Sequence, residues 1–141
     1  SLGEVALFAK LIAEADMLLQ PFLPELGPRG EISLIFFGGA YSHGVLKTAK
    51  AGEFRIQSEH GGRTQPYEAS PKLIELGAEI MAAAEGIVGE RAFYGRVDLI
   101  EAGGEPLLME LELIEPERFF DYKVGSAQAY ARAILNHPSL T

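Results

Sequence analysis

The chain has 141 residues, of which 48% are hydrophobic and 23% are charged, a balance typical of a folded globular domain. This length fits one domain with a sizeable core. The formal net charge of −8 argues against a general nucleic-acid-binding protein, and no apolar run approaches the roughly 18 residues of a membrane span. The absence of cysteine excludes disulfides and cysteine-based metal sites and leaves the cytoplasm as the default compartment. Because the sequence begins with Ser1, we expect a processed chain or a piece of a longer one.

Apolar residues recur at close to helical spacing over residues 2–19, which predicts an amphipathic helix over most of this stretch. The run MLLQPFL, residues 17–23, is compatible either with the end of that helix or with a short buried strand ended by prolines. The proline and glycine residues that follow, through Gly30, predict a loop.

A first hairpin is predicted from the β-branched and aromatic content of residues 31–37, EISLIFF. A Gly-Gly pair then gives a turn signal, and residues 41–48, YSHGVLKT, return as the second strand. Lys47 in the returning strand is either an ordinary solvated lysine or a phosphate contact. His43 is interpreted as a structural or exposed histidine, because no second histidine lies at metal-binding spacing.

The next stretch is polar and carries no core-forming pattern. A short strand over residues 54–58, which carries Arg55, opens into a long loop formed by His60, Gly61, Gly62 and Arg63. Long unpatterned loops in compact domains are often functional, and glycine pairs let backbone N–H groups approach an anion closely. The same pattern is also common in plain turns, so the loop by itself assigns no function.

A structural helix is predicted to begin at Ser70 and Pro71, with serine as the N-cap and proline in the first turn. Its apolar residues lie on one face, and Gly86 and Gly89 are predicted to mark its fraying end.

A second hairpin is predicted for residues 93–100, FYGRVDLI, and 107–116, LLMELELIEP, because the intervening EAGGEP supplies two glycines for a tight turn. Side chains two apart on a strand share a face, so Glu110 and Glu112 give one acidic face. The cluster these residues form with Asp98 depends on the register of the hairpin.

With the turn centred on the two glycines, Asp98 falls opposite Met109 or Glu110, and a bulge of one residue is allowed for. Arg96 lies on the same face as Asp98. The hairpin therefore predicts a cluster of three carboxylates, Asp98, Glu110 and Glu112, with an arginine beside it.

The carboxylate cluster has two interpretations. Two carboxylates about 5 Å apart repel by roughly 3 kcal/mol at an effective dielectric near 20 but by less than about 1 kcal/mol in bulk water, so an exposed cluster is tolerated as a solvated sheet face. A buried cluster needs a cation, an arginine or a proton for neutralisation. Hard oxygen ligands on a rigid hairpin are what Mg²⁺ binds, with waters and phosphates completing its coordination.

Phe119 and Phe120 are predicted to anchor the chain as it leaves the sheet, and a last helix is predicted for AQAYARAILN, residues 127–136. Strands outnumber helices, and tight turns join adjacent strands. We therefore predict an α+β fold in which an antiparallel sheet is packed by helices on one side.

Four segments in this order resemble the C-terminal half of an ATP-grasp ligase: EISLIFFGGAYSHGVLK, GEFRIQSEHGG, RVDLI and LMELELIEP. The resemblance is nearest to the branch that contains glutathione synthetase-like enzymes and the cycloserine-forming ligase, and it covers residues 17–136. It implies the fold of the C-terminal ATP-grasp subdomain. Enzymes of this family use Mg·ATP to activate a carboxylate as an acyl phosphate, which an amine or thiol then attacks.

The resemblance implies roles for individual residues. Asp98, Glu110 and Glu112 match the metal-binding acids, which would hold Mg²⁺ (or Mn²⁺) at the phosphates of ATP; glutathione synthetases have Asn in place of Glu112. Arg55 and Arg96 match the basic positions that face the phosphates or the acyl phosphate. We assign these two arginines as catalytic.

Two further groups are implied by the same resemblance. The glycine-rich loop that closes over the acceptor substrate is matched by His60, Gly61, Gly62 and Arg63. The hinge whose backbone contacts adenine is matched by Gln20, Pro21 and Phe22, and Lys47 is assigned with them to the nucleotide site.

ATP-grasp enzymes hold the nucleotide between two subdomains and carry an N-terminal domain as well, so the resemblance covers only part of such an enzyme. We expect a single domain over residues 1–141 that lacks the other of these two subdomains, which we call the lid half. Alone, such a domain should bind nucleotide weakly and catalyse the ligase reaction poorly. Its expected partners are small carboxylate and amine substrates, together with the missing N-terminal part of the enzyme or a second copy of the chain. Neither nucleic acid nor a membrane is expected as a partner.

Two other classes of function stay open. One is a non-catalytic remnant that oligomerises through the surface left by the missing half, which an exposed apolar patch next to the first helix would favour. The other is a structural or metal-binding α+β domain unrelated to ATP. Pocket shape decides which acid and which amine are joined, so the substrate is not readable from the sequence.

Overall fold

The computed structural model of the chain describes residues 2–17, 19–21, 23–49 and 62–137. The described elements are, in chain order, α1 (Leu2–Glu14), α2 (Leu26–Arg29), β1 (Glu31–Phe37), β2 (Ala40–Thr48), β3 (Arg63–Tyr67), α3 (Pro71–Val88), β4 (Tyr94–Ala102), β5 (Glu105–Glu112), a 3-10 turn (Phe120–Tyr122) and α4 (Ser126–Leu135). The strand predicted for residues 54–58 lies outside the described residues.

The five strands form one antiparallel sheet in the order β3-β2-β1-β4-β5. Both predicted hairpins, β1–β2 and β4–β5, are confirmed, and their inner strands β1 and β4 pair at the centre of the sheet. At the β4–β5 turn, Gly103 and Gly104 have φ angles of +62° and +89°, which are left-handed conformations that glycine adopts without steric strain.

Strand β3 is a difference from the sequence prediction, which has a polar loop at this point. Arg63–Tyr67 pairs with β2, from Thr48 opposite Arg63 to Gly44 opposite Tyr67. Its sequence RTQPY is polar and contains Pro66, whose missing N–H is tolerated at the edge of a sheet. Arg63 is therefore a residue of an edge strand and not of a loop.

Helix α3 packs on one face of the sheet. Ser70 is its N-cap, as predicted, and the Ser70 hydroxyl accepts a hydrogen bond from the backbone N–H of Leu73 at 3.4 Å. The helix continues past Gly86 and ends at Gly89, which has a φ of +79°. The core on this face consists of Ile32, Leu34, Phe36, Ala69, Leu73, Met81, Val97 and Leu99.

The opposite face of the sheet carries a second, smaller apolar cluster at one end. Ile35, Phe37 and Val45 pack there against Phe119, and Tyr130 of α4 covers them. The α+β class with an antiparallel sheet is confirmed, and α4 adds cover to one end of the face that α3 leaves open. Along β4, the same face carries charged side chains and the buried Ile100.

Helix α1 confirms the predicted amphipathic helix but lies outside both apolar clusters. All side chains described between residues 3 and 14 are exposed, including Val5 at 67% and Phe8 at 40%. Those residues of the 17–23 run that are described form neither helix nor strand. Among the helices of the described ranges, none combines the length and apolarity needed to cross a membrane.

Candidate functional site

Charged side chains cross the sheet on the face opposite α3. On the β4–β5 hairpin, Asp98 lies opposite Glu110 and Arg96 lies opposite Glu112, with a bulge between Asp98 and Leu99. The register that places Asp98 opposite Glu110 is therefore confirmed. The bulge sets the relative positions of the acids, because the strand pairing shifts by one residue at this point.

The guanidinium of Arg96 lies between the three acids. Arg96 Nε is 3.0 Å from both carboxylate oxygens of Asp98, and Nη2 is 2.9 Å from Asp98 Oδ2. The same Nη2 is 2.9 Å from Glu112 Oε1 and 3.6 Å from Glu110 Oε2. Burial alone would lower the pKa of Arg96, but the hydrogen bonds and charge of Asp98, and then the two glutamates, raise it. Arg96 therefore keeps its positive charge, and its contacts with Asp98 and Glu112 hold the guanidinium in place.

Lys47 reaches this cluster from β2. Its Nζ is 2.5 Å from Glu31 Oε1 and 3.2 Å from Asp98 Oδ2. The Lys47 side chain is only 13% exposed, so it is not an ordinary solvated lysine. Glu31 is a site residue that the sequence prediction misses, because a glutamate at the start of an apolar strand also fits a solvated strand end. The available signal was its alternation with Ile32, which places Glu31 on the polar face.

The two acids that contact Lys47 have opposite pKa shifts. Burial would raise the pKa of Asp98, but Lys47 and Arg96 outweigh burial and hold it below its ordinary value. Burial raises the pKa of Glu31 by more than Lys47 lowers it, and the charge of Asp98 adds to the rise. The negative charge of this pair is therefore favoured on Asp98.

The acids become more exposed toward the outer strand. The exposed fractions of the side chains are 1% for Asp98, 31% for Glu112 and 57% for Glu110. Within the described ranges, no group of three or more histidine, aspartate or glutamate side chains is arranged to hold a metal ion, and Arg96 lies at the centre of the three acids. Glu110 and Glu112 nevertheless offer solvent-facing carboxylate oxygens on a rigid hairpin, which suits Mg²⁺ together with phosphate oxygens.

The predicted adenine hinge borders β5. Gln20 Nε2 is 3.8 Å from the Sδ of Met109, the residue before Glu110. Pro21 follows Gln20 in irregular backbone, and Phe22 lies outside the described residues.

Only part of the predicted substrate loop is described. Gly62 precedes β3, and the carbonyl of Arg63 accepts a hydrogen bond from Thr48 Oγ1 at 3.3 Å. No ion pair joins Arg63 to the charged cluster in the part of the chain that the structure describes. Arg55, His60 and Gly61 lie outside the described residues.

His43 is a structural histidine, in line with its interpretation from sequence. It is 5% exposed, and its Nε2 donates toward the carbonyl oxygens of Arg118 and Phe119, each 3.1 Å away. Burial lowers the pKa of His43, against the effect of the two carbonyls, which raise it. Phe119 is buried next to His43, which confirms its predicted anchoring role. This contact fixes the segment after β5 on the sheet.

No family model matches the sequence. The chain is similar to the cycloserine biosynthesis protein DcsG of Streptomyces lavendulae, with 28% identity over 131 residues that cover 89% of this chain and 44% of that protein. The crystal structure of the D-cycloserine synthetase DcsG matches with a TM-score of 0.72 and 28% identity, over 82% of this chain and 40% of that one.

The D-alanine–D-alanine ligase of Bacillus anthracis, solved in complex with ATP, shares the fold at a TM-score of 0.51 and 18% identity, over 76% of this chain and 37% of that one. The chain thus spans less than half the length of each of these proteins. The resemblance to the ATP-grasp ligases is confirmed, since the chain is similar to a part of each of these enzymes.

Proposed function

We propose that this chain is the nucleotide- and Mg²⁺-binding C-terminal part of an ATP-dependent ligase that joins a carboxylate to an amine or thiol through an acyl phosphate. The observation that carries the proposal is the Arg96 guanidinium lying between Asp98, Glu110 and Glu112. Phosphoryl transfer depends mostly on positioning and charge stabilisation, so fixed cations beside hard oxygen ligands are the groups it requires. The similarity to DcsG over most of the chain supports the same class of reaction.

Glu110 and Glu112 would hold Mg²⁺ or Mn²⁺ through their solvent-facing oxygens. The family resemblance implies Asp98 as the third ligand, although here it is buried and paired with Arg96 and Lys47. When bound, the ion neutralises the charge of the phosphates during transfer. Arg96 adds a permanent cation next to these oxygens, and its contacts with Asp98 orient it. Lys47 adds a second cation, which Glu31 and Asp98 hold in position for a phosphate.

The remaining roles in this proposal follow the family resemblance. Arg55 would act with Arg96 on the acyl phosphate, and the substrate loop of His60, Gly61, Gly62 and Arg63 would close over the acceptor. Adenine would lie against the hinge of Gln20, Pro21 and Phe22, and the proximity of Gln20 to Met109 supports a slot next to the metal-binding strand.

The test is a calorimetric titration of the chain with a non-hydrolysable ATP analogue, with and without Mg²⁺. We expect weak binding that Mg²⁺ strengthens, because part of the site's contacts lies in the lid half. The Glu110→Gln, Glu112→Gln variant should lose the Mg²⁺-dependent increase, by about tenfold in affinity or more, and should match the wild type without metal.

The matched control is Glu105→Gln on the same strand, because Glu105 is exposed and pairs with Lys72, outside the cluster. It should bind as the wild type does under both conditions. Mg²⁺-dependent binding that survives in the double variant would refute the metal assignment. No binding at millimolar nucleotide would refute nucleotide binding by this chain alone while leaving its fold assignment intact.

A second candidate function is a non-catalytic remnant that self-associates. The observation that favours it is the exposed apolar surface of α1, where Val5, Phe8 and Ile12 are 67%, 40% and 51% exposed. Self-association without nucleotide binding would support this candidate over the ligase.

A further inference from the structure

Arg118 is held over three aromatic rings on the segment that follows β5. The Cζ atom of its guanidinium lies 5.5 Å from the ring centroid of Tyr94, 5.6 Å from that of Phe120 and 5.2 Å from that of Tyr130. These distances are within the range of cation–π attraction. We call these three rings with Arg118 the arginine cage.

The guanidinium of Arg118 has no anionic partner among the residues that the structure describes. Among the described residues no carboxylate forms an ion pair with it, and its buried Nε has no hydrogen-bond acceptor. The chain carries 20 acidic residues against 12 basic ones, so acidic partners are plentiful. An arginine side chain presents five N–H donors in a planar fork that matches a carboxylate. The residue is partly exposed, so an anion from solvent can reach it.

The arginine cage borders the charged cluster. Tyr94 lies two residues before Arg96 on β4, and side chains two apart on a strand share a face. The backbone N–H of Glu115 donates to Tyr94 Oη at 3.2 Å, and the His43 ring holds the carbonyl of Arg118. The guanidinium is therefore positioned in advance, next to the site at which a carboxylate would be activated.

We propose that Arg118 binds the carboxylate of a small organic acid through its terminal N–H groups, with the aromatic rings beneath. This inference rests on the proposed ligase function, in which the acid is a substrate, and it adds a substrate-binding residue. A carboxylate fits better than a phosphate dianion, because one guanidinium neutralises one charge, and Glu115, whose backbone N–H donates to Tyr94 Oη, adds negative charge beside the cage.

The experiment uses acetate as the probe and nuclear magnetic resonance of the uniformly ¹⁵N-labelled chain, without nucleotide or Mg²⁺. Acetate should shift the Nε–H signal of Arg118 along a saturable curve, and chloride at equal ionic strength should not. The signal is assigned by its absence from Arg118→Met, in which the acetate-dependent shifts of the Tyr94 and Tyr130 backbone amides should also vanish. Arg132→Met is the matched control, because Arg132 is an exposed arginine of α4 outside the cage, and it should retain every shift.

Arg118→Lys carries the test if Arg118→Met does not fold, because lysine keeps a cation over the rings but lacks the planar fork, and acetate affinity should fall about threefold or more. A linear response, or the same response to chloride, would overturn the proposal. Tighter binding of inorganic phosphate than of acetate would also overturn it and assign Arg118 to the nucleotide. The acetate titration contains neither nucleotide nor metal, so it is independent of the calorimetric test. If acetate does not bind but the chain shows Mg²⁺-dependent nucleotide binding, the role of Arg118 is refuted and the proposed ligase function is not.

Discussion

Asp98 is a buried charge that two cations hold in the ionised form. Its side chain is 1% exposed, and it contacts both Arg96 and Lys47. The contact with Arg96 is readable from the sequence, since the two residues lie two apart on a predicted strand. The contact with Lys47 is not, because it spans β1 and depends on the order of the strands in the sheet. The buried partner Glu31 is missed because a glutamate at the start of an apolar strand also fits a solvated strand end.

Removing the charge of Asp98 should destabilise the fold. In Asp98→Asn two poorly solvated cations lose their common partner, and breaking a buried pair from one side costs about 3–5 kcal/mol. Urea unfolding followed by circular dichroism measures the difference. The control Glu105→Gln removes an exposed ion pair and should change the free energy of unfolding by less than about 0.5 kcal/mol. A similarly small change in Asp98→Asn would show that the pairing of Asp98 contributes little to stability.

The contribution of Asp98 to stability should depend on pH. Its pKa in the folded state is below its ordinary value, so the unfolded chain binds a proton first as the pH falls. The stability difference between wild type and Asp98→Asn should thus be complete above the unfolded pKa of about 3.9 and should shrink as the pH falls through the folded pKa. Urea midpoints between pH 7 and pH 3 test this, and a difference that grows toward low pH would contradict it.

Glu31 should show the opposite dependence, because burial raises its pKa in the folded state. As the pH falls through that raised pKa, the folded chain takes up the proton first, so wild type should gain stability relative to Glu31→Gln. The same urea series measures this difference. A wild type that loses stability relative to Glu31→Gln over this interval would show that the contact with Lys47 outweighs burial.

At the level of elements, the two hairpins follow from turn glycines and strand alternation, and the bulge allowed for on the second hairpin is present. Strand β3 does not follow, because RTQPY has little β-branched content and gains its pairing only from the exposed edge of β2. The packing of α4 on the sheet face opposite α3 also does not follow from local sequence. It depends on the apolar surface that Phe37 and Phe119 form together in the folded chain. Local sequence thus predicts the strands that have clear apolar alternation and turn residues, but not an edge strand such as β3, which depends on pairing with a neighbour.

Two glycines in α3 should respond oppositely to alanine. A Cβ at Gly77 would lie 2.8 Å from Phe36 Cζ and 3.0 Å from Leu34 Cδ1, whereas a Cβ at Gly86 would meet no atom within 4 Å. Gly86→Ala should stabilise the protein by about 0.5–1 kcal/mol through helix propensity. Gly77→Ala should destabilise it by about 1–3 kcal/mol, because overpacking the core outweighs that gain. Thermal unfolding compares the pair, and equal stabilisation of both would show that α3 sits farther from the sheet.

At the level of the whole molecule, the chain covers 44% of the DcsG protein. Helix α1 carries an amphipathic pattern that the sequence predicts, but the partner of its apolar face lies in no described element. In a complete ligase, we propose, the remaining part of the enzyme covers this face. In the isolated chain we expect the same surface to promote self-association.

Substitutions on the apolar face of α1 separate these roles of the helix from a role in stabilising the sheet. The double variant Phe8→Ser, Ile12→Ser removes apolar side chains that are 40% and 51% exposed. Because they contribute to neither apolar cluster, the free energy of unfolding should change by less than about 0.5 kcal/mol. Sedimentation velocity should show concentration-dependent association of the wild type that the variant loses. Destabilisation by more than about 1 kcal/mol would mean that α1 packs on the sheet in solution, and association that persists in the variant would place the contact between copies elsewhere on the molecule.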